Sequence, residues 1–405
     1  MEQALYKLPE GWEWQRLGGI GVVIRGVTYK KGDLLNSITS DTITLLRANN
    51  IQETLDLSEV QLLPAEKIKP DKILLKEDIL FCMSSGSKHL VGKNIRITEK
   101  LLDYSFGAFC SILRLKNREF SPFVALFLAS SQYKNALLPL SKGAGINNLK
   151  GRDLEDLVIP LPPLDEQKRI VTRLDALFIR IDTTITHLQE TLELTKALFA
   201  SASDEVFSSE RRQDEIVPLN KAAIVARGKS KHRPRNDKTL FGGDYPFIQT
   251  GDVRNASKYI TTHSSTYNER GLAQSKLWPR GTICLTIAAN IVDVAILGMD
   301  SCFPDSVVGI TSESESNEYI YYFLMTLQRH LDSKANAAAQ KNINLRILSE
   351  IEIPLPSLEE QNRIVTHLDA LSERTRALEA ATEEKLNELT ALKASLLDAA
   401  FKGQL

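Results

Sequence analysis

One stretch of the chain is written twice. Ile159 to Leu177 reads IPLPPLDEQKRIVTRLDAL, and Ile353 to Leu371 reads IPLPSLEEQNRIVTHLDAL. Fifteen of the nineteen positions are identical at an offset of 194 residues, and the offset holds until Phe207 falls opposite Phe401. A long internal repeat sets the architecture of everything around it.

Each copy runs on into a segment with the pattern of a helix. Leu164 to Phe207 and Leu358 to Phe401 contain neither Pro nor Gly. Ile170, Leu174, Leu177, Ile181, Ile185, Leu188, Leu192 and Phe199 form one helical stripe in the first. Ile364, Leu368, Leu371, Leu378, Leu386, Leu389, Leu392 and Leu396 do so in the second, with Thr375 and Thr382 predicting a wetter middle. Ser357 and Glu360 stand at capping-box spacing. Asp165 and Glu166 put negative charge at the positive end of the first helix dipole. At 1.5 Å per residue each helix would be roughly 66 Å long. The stripes stay wet unless the helices pack on each other or on a partner.

The rest of the chain repeats an order of features. In the first stretch a polar loop, Arg25 to Gly32, precedes strand-like runs Thr42 to Ile51, Ile73 to Met83 and Phe106 to Leu115. A helix is predicted over Ser121 to Leu138. In the second a basic loop after Ile224–Gly228 precedes the runs Tyr245 to Val253, Trp278 to Ala289 and Val307 to Thr311. Tyr319 to Leu331 then reads as a helix. The expected domains are a globule at 1–158, a long helix at 159–207, a globule at 208–352 and a long helix at 353–405. The predicted fold class is α/β (α+β): two similar globules joined by two long antiparallel helices packed as a coiled coil, pseudo-two-fold symmetric. Two unlike modules at fixed spacing suit a bipartite, asymmetric site on a duplex.

The net charge of −1 gives no global pull toward nucleic acid, so any such contact must come from local patches. Four scattered cysteines form no CxxC pair, which predicts a reducing compartment and no zinc site. No apolar run reaches membrane-spanning length, and the chain reads as cytoplasmic, with no membrane partner. There is no Asn-Pro-Pro-aromatic run, no phosphate loop with correct glycine spacing and no HExxH, so nothing marks the chain as an enzyme. Pro304-Asp305 with Glu313 and Glu315 is a weak hint of a metal nuclease.

The doubled PLPxLxEQxRIV block and the terminal SLLDAAFKGQL resemble the specificity subunit of type I restriction–modification systems. So do GGDYPFIQTGDV, GLAQSKLWPRGTICLTI and AILGMDSCFPDSVVGI in the second globule. The first globule departs from that pattern, having Ile43 to Ile51 where a GGDxPxI run would stand. The resemblance implies a non-catalytic subunit whose globules are target recognition domains reading two halves of a double-stranded DNA site. It implies helices that set a fixed spacer and dock two methyltransferase (modification) subunits. Two restriction subunits would complete the nuclease. It implies no cofactor in this chain: S-adenosylmethionine belongs to the methyltransferase, ATP and Mg to the restriction subunit.

Candidate DNA contacts are set by residue type and position. Ile216 to Asn236 holds six Lys or Arg and no acid, including Lys229, Lys231, Arg233 and Arg235 beside His232. Such a run neutralises phosphates, or is simply a solvated loop. Lys30 and Lys31 occupy the matching loop of the first globule. Arg47, Asn49 and Asn50, and Gln249 and Thr250, stand at matching strand ends, where Arg suits guanine and Asn or Gln suits adenine. They serve equally as caps of strands and turns. Ser85, Ser87, Lys88 and His89, with Asn290 and Lys341, complete the set. For partner docking the candidates are Glu166, Gln167 and Arg169 with Glu360, Gln361 and Arg363, which look too polar for a buried stripe. A coiled-coil scaffold whose globules bind other proteins is the alternative from a different class.

Overall fold

The computed structural model of the chain describes residues 6–87, 90–101, 103–137, 148–208, 215–232, 234, 237–287, 293–334 and 345–405. The chain divides into two compact units, Met1–Leu188 with Glu384–Leu405, and Gln189–Glu383. The division falls inside both long helices, so each unit holds one globule, part of one helix and part of the other. The helices span Leu164–Phe207 and Leu358–Phe401, the limits that the repeat and the absence of Pro and Gly predict.

In the first unit the repeated Ile-Pro-Leu stretch is a strand. Val158–Leu161 pairs antiparallel with Glu13–Arg16 and delivers the chain into the first long helix. The main sheet runs in the order Gly21–Arg25, Cys110–Leu115, Ile79–Cys82, Asn94–Arg96, all antiparallel. A second sheet has Thr42–Leu46 between Gln61–Pro64 and Tyr104–Phe106. The core gathers Leu113, Phe123 and Phe127 of the globule, Ile170 and Leu174 of the first long helix, and Leu397, Ala400 and Phe401 of the second. The ring of Phe401 meets Phe123 and Phe127 edge-on, each at 5.2 Å. Asp182 pairs with Lys393 at 2.7 Å, and Arg169 donates to the Leu405 carbonyl at 2.7 Å. Numbers fall on one helix as they rise on the other, so the two segments are antiparallel.

The second unit repeats the plan. Glu352–Leu355 pairs with Glu215–Pro218. The main sheet runs Ile224–Arg227, Val307–Thr311, Ile283–Thr286, Val294–Leu297, with Tyr259–Ile260 added in parallel at its edge. Phe241–Phe247 pairs with Ser265–Tyr267. Here it is Phe207, ending the first long helix, that packs on Tyr319 and Phe323 at 5.2 and 5.7 Å. Phe199 and Phe207 share this core with Ile364 and Leu368 of the second helix.

Several sequence expectations need correction. Thr375 and Thr382 do not wet the second stripe: both are buried, because each hydroxyl donates to the carbonyl four residues back, at Leu371 and Leu378. Leu378 and Leu392, expected on the covered stripe, are exposed. The run Phe106 to Leu115 is not one strand, since the turn at Gly107–Phe109 hands the chain from one sheet to the other. Ile73 to Met83 is a strand only over Ile79–Cys82. The Ser121–Leu138 helix is two helices, Ser121–Ala129 and Ser131–Leu137, broken at Ser130.

Removing the Phe401 ring should leave a cavity at the junction of three elements. Phe401→Ala is expected to cost about 3–5 kcal/mol in denaturant unfolding. An unchanged midpoint would contradict the role assigned to the ring.

Candidate nucleic-acid interface

The candidate residues cluster where strands end, and each globule builds that end in the same way. In the first, the strand Gly21–Arg25 runs into Gly26. A Cβ there would lie 2.1 Å from the Gly107 carbonyl oxygen, so only glycine lets the two chains approach. The loop beyond it exposes Lys30 and Lys31. Its turn is held by Asp33, which accepts the Lys30 backbone N–H at 2.8 Å and pairs with Lys67 at 3.0 Å. These bonds, the backbone one foremost, hold the Asp33 carboxyl below its usual range.

In the second, the strand Ile224–Arg227 runs into Gly228, where a Cβ would lie 2.3 Å from the Pro304 carbonyl oxygen. Lys229 and Lys231 come next, both exposed, and neither has an ion-pair partner among the described residues. His232 is partly buried, with Nε2 2.8 Å from Asp237, while its backbone N–H donates to Gln274. The Asp237 carboxyl is held low, first by the Thr239 backbone N–H, then by the Thr239 hydroxyl and His232. The loop is thus pinned on both sides of its free lysines.

The strand-end residues are also constructed alike. The Arg47 N–H donates to Asn50 Oδ1 at 2.7 Å, and the Gln249 N–H donates to Asp252 Oδ2 at 2.7 Å. A side chain three residues on caps the turn, while the Gln249 side-chain amide donates to the Ser265 hydroxyl at 3.1 Å. Asn49 and Gln249 are exposed; Arg47 and Thr250 are half-buried. Asn50 is removed from the contact set. It is 1% exposed, and its Nδ2 donates to the carbonyls of Asp56 and Glu59. Ser85 and Ser87 bond to each other in a polar loop, the Ser87 N–H donating to Ser85 Oγ at 3.2 Å. Lys88, His89, Arg233, Arg235, Asn290 and Lys341 lie outside the described residues.

One segment in each globule joins these parts, and sequence reading missed it. In the first, Gly107 donates to the Leu46 carbonyl, Val27 to Phe106, and both Met83 and Ser84 to Phe109. In the second, Lys229 donates to Phe303, Gly228 to Val307, Ile248 to Cys302 and Ile287 to Ser306. The turns Gly107–Phe109 and Phe303–Ser306 therefore fix the basic loop, the strand-end turn and the end of the central strand against one another. In the second unit this hub borders a cleft of about 340 Å³ lined by Ser230, Phe241, Gln249, Thr250 and Ser306. The readable signals were a turn-forming glycine and proline inside otherwise apolar runs.

The proposed docking residues divide. Gln167 and Gln361 are 1% and 0% exposed, so a partner cannot reach them. Each folds back and donates Nε2 to the carbonyl of the proline five residues before it, Pro162 at 2.8 Å and Pro356 at 3.0 Å. Gln361 also binds Glu315 and accepts the Ser316 N–H, which gives Glu315 a structural task. Glu166 and Arg169, and Glu360 and Arg363, form bidentate pairs one turn apart on the helix surface. The Arg169 hydrogen bond chiefly lowers the Glu166 carboxyl.

Comparisons with known proteins agree on one family. The model of the type I restriction modification DNA specificity domain matches residues 9–194 and 212–388. The EcoKI specificity subunit of Escherichia coli (strain K12) is 28% identical, over 98% of this chain and 90% of its own length. The StySPI specificity subunit of Salmonella potsdam is 29% identical over the same shares. A solved chain from work on complex assembly and conformational transition of the type I R-M system has a TM-score of 0.81, 24% identity and 99% and 100% coverage of the two chains. The HsdS subunit from Thermoanaerobacter tengcongensis has a TM-score of 0.61 and 24% identity, covering 100% of both chains. At that identity the two structures speak for the fold.

Asn50→Ala should destabilise by about 1–3 kcal/mol, because it removes from a side chain 1% exposed the bonds to the Arg47 N–H and to the carbonyls of Asp56 and Glu59. Asn49→Ala should stay within about 0.5 kcal/mol, as surface substitutions do. Equal effects in a thermal or denaturant melt would contradict the division between a structural and a free asparagine.

Proposed function

The chain belongs to the specificity subunits of type I restriction–modification systems, and on that premise we propose how its two units divide the reading of DNA. It is the DNA sequence-recognition subunit of such a system. Residues 1–158 and 208–352 act as target recognition domains, and 159–207 and 353–405 as the helices that set the spacer. Each domain takes one half of a bipartite, asymmetric site. Lys30 and Lys31, with Lys229, Lys231 and the neighbouring His232, Arg233 and Arg235, hold phosphates and fix register. Arg47 and Asn49 in one domain, and Gln249 and Thr250 in the other, meet base edges. Ser85, Ser87, Lys88, His89, Asn290 and Lys341 flank these groups.

The observation that carries this reading is the doubled construction. Two sheets that share four antiparallel strands in one order present the same glycine-gated basic loop and the same capped strand end, with different side chains in each. That is what two half-sites of unlike sequence require.

The chain does no chemistry itself in this reading. Two modification subunits carry S-adenosylmethionine, and two restriction subunits carry ATP and Mg. Modification subunits dock along the long helices, where Leu194, Leu198 and Ile179 stand 70%, 56% and 67% exposed. Leu378 and Leu392 are exposed on the other helix. Leu194 and Leu198, one turn apart, offer a partner an apolar contact. The Glu166–Arg169 pair of the first unit and the Glu360–Arg363 pair of the second are charged docking candidates, each on its own unit.

Replacing residues 208–352 by the corresponding domain of a relative should change one half of the recognised motif; a change in both halves would contradict the division. Lys229→Gln with Lys231→Gln should weaken binding uniformly across sequences. It should also flatten the log–log salt dependence by roughly 0.9 per lost phosphate contact. An unchanged slope would remove these lysines from the interface.

A further inference from the structure

Phe109 is 68% exposed, and no other Phe or Trp among the described residues stands out in this way. It occupies the tip of the turn between the strands Tyr104–Phe106 and Cys110–Leu115. This tip is not loose. The Phe109 carbonyl accepts N–H bonds from Met83 at 2.8 Å and Ser84 at 3.2 Å, and the Cys110 N–H donates to Gly107 at 2.8 Å. Gly107 is itself tied to Leu46, and a Cβ on it would touch Tyr29 at 3.6 Å. The backbone that carries the ring is therefore fixed, and the ring stands in water where the Lys30–Lys31 loop, the Arg47 turn and the Ser85–Ser87 loop converge. The preceding residues, Gly107 and Ala108, are small, so a surface can close on the ring from that side. The second unit differs. Cys82 pairs with Cys110 as Thr286 pairs with Val307, which aligns Phe109 with Ser306, a residue on the wall of a cleft.

We propose that Phe109 inserts its ring at a base step of the half-site read by the first unit. The inference rests on the reading of that unit as a half-site reader and adds how it grips the site. Phenylalanine has no group that binds a phosphate or a base edge by hydrogen bonding. The apolar surfaces that DNA offers are base faces and the thymine methyl group. A methyl group covers only a small part of an exposed ring, whereas a base face matches its area. Apolar side chains that enter a step unstack it and kink the duplex, and the cost is offset by the protein surface that the bend brings into contact.

The test uses the full chain assembled with its modification subunits and duplexes carrying the mapped site. 2-Aminopurine replaces bases of the first half-site one at a time, away from the methylated adenine. Wild type should raise the fluorescence at one step. Phe109→Ala should abolish that rise and weaken binding about tenfold, the scale of one lost stacking contact. Phe109→Trp should keep both. The exposed position predicts an unchanged melt for all three, which separates the effect from misfolding. No rise at any step with wild type, or wild-type affinity and signal with Phe109→Ala, would overturn the proposal. An affinity loss that uracil in place of thymine reproduces, without a fluorescence change, would also overturn it in favour of a methyl contact. Failure of the wild-type complex to bind the mapped duplex at all would instead sink the half-site reading, and the wedge with it.

Discussion

Each unit depends on one aromatic ring arriving from far along the chain. Phe401 ends the second long helix between Phe123 and Phe127, and Phe207 ends the first against Tyr319 and Phe323. Burying such a ring is worth about 1.5–3 kcal/mol. Its edge-on contacts add about 0.5–1.5 kcal/mol. The other helix enters the same core through Ile170 and Leu174, or Ile364 and Leu368. A globule is thus fastened to the start of one helix and the end of the other.

The repeated motif is the second fastening. Its isoleucine, Ile159 or Ile353, is fully buried in the two-stranded ribbon. Its glutamine ties the first helical turn back to the proline at the strand end. Strand, turn and helix are locked together in this way. The basic loops and strand-end turns hang from the main sheet of each unit through backbone hydrogen bonds, with the Asp33, Asn50, Asp237 and Asp252 side chains holding their turns. The other side chains at those positions are then free to vary with the DNA sequence while the frame stays fixed, which is what a recognition subunit needs.

Much of this frame was legible in the sequence, because its signals are local or repeated. The long helices follow from 44 residues without Pro or Gly, and the two strand-to-helix junctions from the offset between Ile159 and Ile353. The errors share a physical cause: polarity does not specify where a side chain finds its partner. Gln167 and Gln361 looked like docking residues, yet they are buried because a proline carbonyl five residues back accepts their amide. Thr375 and Thr382 are buried because their own helix satisfies their hydroxyls. Asn50 resembled a base reader but bonds to backbone groups brought round by the next turn. Phe109 read as part of a strand, and only the switch between two sheets puts its ring in solvent.

The central claim is that two unlike domains of one chain read two halves of one DNA site. Mapping adenine methylation by long-read sequencing tests it most directly. The chain would be co-expressed with its modification subunit in a host free of such methylation, beside a control lacking the chain. The account predicts a split, asymmetric motif with a fixed gap, present only when the chain is present. A continuous motif, or no new methylation from a complex shown to be assembled, would contradict it.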